Sequence, residues 1–187
     1  MVAMKKILIL LVAALALCAQ AAEFNQVAPD KSHITFVSKQ MGVPVNGGFK
    51  KFSAQITIDP SKPEAGKASV EVDLSSIDAG SSDADTEVKG KGWLNIAAFP
   101  KATFDSGTVK SLGNGRYEAR GPLKIKGVSR DMVIPFTLKT EGTGAWLEGS
   151  FVLPRLQFKI GDGEWSDTST VADEVQVKFK LFLVSKK

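Results

Sequence analysis

Histidine and cysteine are almost missing from this chain, with one of each in 187 residues. The cysteine, Cys18, lies in the apolar N-terminal segment, so the remainder can form no disulfide and no cysteine-ligated metal site. The one histidine, His33, cannot make a histidine-based metal site without carboxylates placed beside it, and spacing supplies none. A Ser-His-Asp triad would have to use His33, and no nucleophile elbow is present. His33 therefore reads as a structural or pocket-lining residue. No glycine-rich phosphate loop lies between a strand and a helix. The acidic stretch Asp83-Ala84-Asp85-Thr86-Glu87 lacks the sixth-position glycine and the terminal glutamate of a calcium loop, and reads as a solvated helix start. Asp162 to Asp167 reads as a surface loop. No Arg/Lys cluster with interleaved aromatics appears, which argues against a nucleic-acid partner. These absences leave no catalytic residue, no metal ligand and no cofactor to assign, and a non-enzyme is expected.

The N-terminus carries what those absences leave room for. Lys5 and Lys6 precede an apolar run from Ile7 to Leu17, and Ala19-Gln20-Ala21 follows as a small-x-small cleavage pattern. This is the layout of a secretory signal peptide over residues 1–21, with an apolar run too short for a permanent span. A lipoprotein signal using Cys18 is the weaker alternative, because bulky Leu17 precedes the cysteine. Loss of the leader takes two lysines from the 24 basic residues and none of the 20 acids, so the net charge falls from +4 to +2. The expected location is the periplasm, and 22–187 has the length of one domain.

The mature region is dominated by period-two alternation. Ser32 to Ser38, Ala54 to Ile58 and Ala68 to Leu74 read as strands with one apolar and one polar face. Further strands are expected at Ala102–Val109, Arg116–Ile125, Asp131–Thr140, Ala145–Leu153 and Glu174–Val184. Gly113-Asn114-Gly115, Gly127 to Arg130 and Glu141 to Gly144 read as turns. Ser82 or Asp83 is expected to cap a short helix that ends before Gly90 and Gly92. On the last strand Val175, Val177, Phe179, Leu181 and Leu183 share a face. Long antiparallel strands of this kind close into an all-β barrel of about eight strands, whose interior can be filled or can hold one small ligand. Composition leaves that choice open. Ten buried CH₂ groups would contribute on the order of 8 kcal/mol, comparable to an association cost of roughly 4–15 kcal/mol. A long chain could thus be held without a strong polar contact.

Several phrases occur in order along the mature chain: Asp30-Lys-Ser-His33-Ile-Thr-Phe36, Gly48-Phe49, Val72-Asp73-Leu74-Ser-Ser-Ile77, Trp93-Leu-Asn-Ile96-Ala-Ala-Phe99-Pro-Lys-Ala-Thr-Phe104, Gly121-Pro-Leu123-Lys-Ile125-Lys-Gly127-Val-Ser-Arg130 and Arg155-Leu-Gln-Phe158-Lys-Ile-Gly161. Together they resemble the YceI-like family. The resemblance implies a lipocalin-like antiparallel barrel with one short helix and an apolar tunnel. It implies binding, storage or transport of a long-chain isoprenoid lipid of polyprenyl or isoprenoid-quinone type, without covalent chemistry. Homodimers are common in the family, and transient membrane contact fits such a role. The ligand-contacting residues expected on this basis are His33, Phe36, Phe49, Ile96, Phe99, Phe104, Leu123, Arg155, Phe158 and Phe179. His33 and Arg155 would meet the head group, since a guanidinium fork suits a phosphate or carbonyl. Ile96 and Phe99 would plug one end of the cavity or complete the core. Trp93 and Leu94 would pack the helix on the barrel, and Pro100 would end the irregular link.

The chain departs from the family pattern at Lys39-Gln40-Met41, where many members have a second histidine, and at acidic Asp83–Glu87, where the family is basic. Both departures bear on the head-group end. A stress-related interaction module with a filled barrel and a binder of fatty-acyl amphiphiles remain as alternatives. An enzyme acting on quinones would need a cofactor or catalytic pair that the sequence does not offer.

Overall fold

A computed structural model of the protein describes residues 23–185. The leader expected over 1–21, and Cys18 with it, lies outside them. The described chain forms β1 (Gln26–Gln40), β2 (Val43–Phe49), β3 (Phe52–Thr57), β4 (Lys67–Asp73), β5 (Ile77–Asp78), α1 (Ser82–Lys89), β6 (Lys101–Asp105), β7 (Thr108–Gly113), β8 (Arg116–Ile125), β9 (Val128–Glu141), β10 (Gly144–Pro154) and β11 (Glu174–Val184). All pairings are antiparallel, in the order β3-β4-β6-β8-β9-β10-β11-β1-β2-β5, with β7 on β8.

The eight strands from β3 round to β1 make the barrel wall. The wall is joined by a single bridge between Phe24, just before β1, and Ile58, just after β3; their amides and carbonyls exchange two bonds of 3.0 Å. The expected strand number thus describes the circuit. β2 and β3 act as one bent strand. Lys50 and Lys51 make the bend, where their amides bond Ser76. β2 therefore stays beside β1, while β3 crosses to β4. Gly48-Phe49 is paired strand opposite Thr35 and Ile34.

Alternation explains why these segments curl around an apolar interior. Along β8, Tyr117, Ala119, Gly121, Leu123 and Ile125 are buried and the residues between them face out. On β11, Leu181 and Leu183 are buried while Lys178 lies on the outer parity. β1 holds a bulge between Ala28 and His33, where Ser32 replaces the lost ladder: its hydroxyl donates to the Ala28 carbonyl at 2.7 Å and accepts from the Phe182 amide at 3.0 Å.

Three local expectations are corrected. The run Ala102–Val109 is two strands, broken at Ser106-Gly107. The turn placed at Gly127–Arg130 is the two-residue link Lys126-Gly127, with φ of +48° and +74° between paired Ile125 and Val128. Both central residues need left-handed backbone, the requirement of a tight hairpin turn that matches strand twist. The helix is capped by Ser81, not Ser82 or Asp83; its hydroxyl accepts from the Ala84 amide at 3.2 Å.

Gly149 shows how tightly one part of the wall is built. A Cβ there would lie 2.3 Å from the Phe179 ring and 2.4 Å from the Pro135 carbonyl oxygen. Because one obstacle is backbone, Gly149→Ala is expected to lower stability by about 1–3 kcal/mol, checked by chemical unfolding.

Candidate functional site

The barrel encloses a cavity of about 190 Å³. Its lining comes from every strand of the circuit, including Ile34 of β1, Ile56 of β3, Val70 of β4, Phe104 of β6, Ala119 and Leu123 of β8, Phe136 of β9, Leu147 of β10 and Phe179 of β11. Along β8 the lining runs from Ala119 to Ile125, a length of about 20 Å at the rise of an antiparallel strand. A lining that follows the strands over such a length makes the cavity an elongated channel. It suits a chain better than a compact molecule.

The channel wall is hydrocarbon. Thr57, Lys67 and Thr103 are the polar residues that touch it. Thr57 lies between Ile56 and Ile58, Thr103 between Ala102 and Phe104, and exposed Lys67 opens β4 before Ala68, so by strand alternation their side chains belong to the outer face. Among the described residues no buried side-chain nitrogen or oxygen lacks a hydrogen-bond partner.

One end of the channel is closed by Leu74, Leu94, Leu153 and Ile160. Above them lie α1 and the segment after β10. Leu94 reaches the channel because its amide bonds the Val88 carbonyl at 3.0 Å, which folds the chain back under the end of α1. Glu87 of α1 accepts from two indoles, Trp93 at 3.2 Å and Trp165 at 3.1 Å, and the two rings pack 5.5 Å apart. Asp85 accepts from the Ala79 amide at 2.6 Å. These acids, read as a solvated helix start, thus include two that fasten the helix to its surroundings.

Arg155 organises the closing segment. It is 1% exposed. Nε donates to the Ala172 carbonyl at 3.1 Å, Nη1 to Ile160 at 2.9 Å and Gly161 at 2.6 Å, and Nη2 to Trp165 and Val171 at 2.7 Å each. A guanidinium has five N–H donors, and five carbonyls take them. Its face lies 5.5 Å from the Trp93 ring centre. Burial draws its pKa below the usual arginine value, while the nearby Asp173 carboxylate opposes that shift.

The expected contact residues therefore divide. Phe49, Phe104, Leu123 and Phe179 line the channel. Phe36 packs one layer behind, tilted against Phe49 at 5.8 Å between ring centres. Phe158 is fully buried in the core, under the turn that begins at Arg155. Ile96 packs against the core outside the channel lining, and Phe99 covers Gly127, whose added Cβ would meet its ring at 2.8 Å. Plugging of the channel end falls instead to Leu94 and Ile160.

The two polar expectations are corrected. His33 is exposed on the outer face of β1 opposite Lys180, because Ile34 takes the inward position. Arg155 has no donor left for a ligand, because backbone carbonyls hold them all. His33→Ala is expected to leave the affinity for an apolar ligand unchanged, measured by displacement of a fluorescent probe; a tenfold loss would return His33 to the site. The lining residues that sequence reasoning missed include Ala119, Ile134, Phe136 and Leu147. These lie on the inward parity of strands that alternation had located, so parity was the signal.

The family model described as YceI-like domain matches residues 26–183. A UPF0312 protein of Yersinia pestis (strain Pestoides F) is 34% identical over 114 residues, which are 60% of this chain and 59% of that protein. The chain thus matches less than two thirds of that relative's length. The crystal structure of Burkholderia cenocepacia BcnA is similar with a TM-score of 0.82 and 41% identity, covering 84% of this chain and 99% of that one. A polyisoprenoid binding domain from Saccharophagus degradans, implicated in plant cell wall breakdown, has a TM-score of 0.66 at 16% identity, covering 89% of this chain and 99% of that one. At that identity the likeness is one of fold.

Proposed function

The chain belongs to the YceI-like domain family, and on that premise we propose that it is a non-catalytic binding protein that holds the apolar chain of a long isoprenoid lipid inside its barrel. The observation that carries this reading is the elongated hydrocarbon-walled channel. A filled barrel would leave no such space, and a compact ligand would not use its length. Lipid transfer from water to such a wall is favourable at about 0.8 kcal/mol per CH₂, so affinity grows with each carbon enclosed. The Saccharophagus degradans polyisoprenoid binding domain, which shares this fold, makes an isoprenoid the chain to test first. The basic, apolar and small-residue pattern of residues 1–21 supports export to the periplasm.

The reading is tested by adding geranylgeraniol to protein stripped of lipid. A ligand that binds only the folded state raises the melting temperature with its concentration. A saturable rise is the expected result. No rise with geranylgeraniol or with a fatty alcohol of equal length would refute lipid binding, and a rise with the fatty alcohol alone would change the chain class.

A further inference from the structure

We infer that the site reads only the hydrocarbon of its ligand and leaves the head group in water, so that binding is indifferent to head-group chemistry. The inference rests on the lipid-binding reading above and names what that site selects. It follows from what the channel cannot supply. The polar residues that touch it, Thr57, Lys67 and Thr103, stand on the outward parity of their strands. Between β10 and β11, β3 and β4, and β8 and β9 the wall's amides and carbonyls are paired in the strand ladders. The buried cation nearest its closed end, Arg155, has its donors taken by carbonyls of the chain. No unpartnered buried side-chain polar atom waits for a ligand among the described residues.

A head group drawn into this channel would lose its water and meet no donor or acceptor. An unpaired buried carbonyl or hydroxyl weakens binding by about tenfold or more, and a charged phosphate or ammonium by far more. Each enclosed carbon favours the chain by comparison. The ligand class is therefore an amphiphile defined by its chain, whose polar end stays outside the barrel and open to other molecules.

The test uses three amphiphiles with one tail: geranylgeraniol, geranylgeranyl phosphate and geranylgeranylamine. Each competes with an apolar fluorescent probe for the stripped protein, in high salt to screen surface charge. The expected dissociation constants agree within about threefold, the spread left when heads stay hydrated. Displacement with a tenfold preference for one head would overturn this inference and leave lipid binding standing. Displacement by none of the three would refute the lipid-binding reading and this inference with it.

Discussion

Arg155→Met is expected to lower the unfolding free energy by roughly 3–5 kcal/mol, the scale on which removing one side of a buried charged network acts. The substitution keeps a long apolar stem but removes every donor. The carbonyls of Ile160, Gly161, Trp165, Val171 and Ala172 would then be left without the partner that holds them. Each buried carbonyl left unmade costs about 1–3 kcal/mol where water cannot replace the bond. Since whole domains are stable by only about 5–15 kcal/mol, the protein would survive with little margin. Arg155→Lys is expected to recover only a fraction, because one ammonium offers three donors from a single point. Urea unfolding checks this: the midpoint falls while the slope stays constant. An unchanged midpoint in Arg155→Met would mean that this segment is held by something other than the guanidinium.

The second large effect is on binding. Ala119 is 5% exposed and faces the channel from β8. Ala119→Phe would place a ring in the channel space. Displacing about four CH₂ groups of a ligand at ~0.8 kcal/mol each weakens binding on the order of 100-fold. The barrel itself is expected to tolerate the ring, because the added atoms enter empty volume, and overpacking penalties of about 1–3 kcal/mol apply to sites without it. Val133 offers the control. It lies on β9 but is 40% exposed on the outer face, so Val133→Phe should leave binding unchanged. Equal affinity for a geranylgeranyl ligand in Ala119→Phe and the unaltered protein would place the ligand outside this channel.

What alternation controls was legible in the sequence. Arg116–Ile125 and Glu174–Val184 were readable to the residue, because small or apolar residues hold every second position there. Val43–Phe49 was not readable. Its Pro44 and the pair Gly47-Gly48 look like a loop, yet Gly47 is there to make room for the Phe36 ring, which a Cβ would approach to 2.3 Å. The helix cap was off by one or two positions because Ser81, Ser82 and Asp83 are all able to cap. Barrel closure through Phe24 and Ile58 joins residues that no local pattern connects.

An apolar interior was legible in the sequence, but the channel lining was not legible residue by residue. Choosing phenylalanines found Phe104 and Phe179 but passed over Ala119 and Ile134, which face the same space with less conspicuous side chains. Arg155 was assigned to a ligand head group, whereas the structure gives its donors to backbone carbonyls. An arginine that serves five backbone carbonyls and one that serves a phosphate are the same letter. The carbonyls in question come from residues 160 to 172, and only the fold brings them together.

The most direct measurement of the central claim is native mass spectrometry of the protein as purified, followed by organic extraction and identification of what is released. The account predicts a stoichiometric apolar chain with isoprene-unit spacing, lost when the Ala119→Phe protein is purified the same way. A protein that arrives bare and takes up no added polyprenyl or quinone lipid would contradict it.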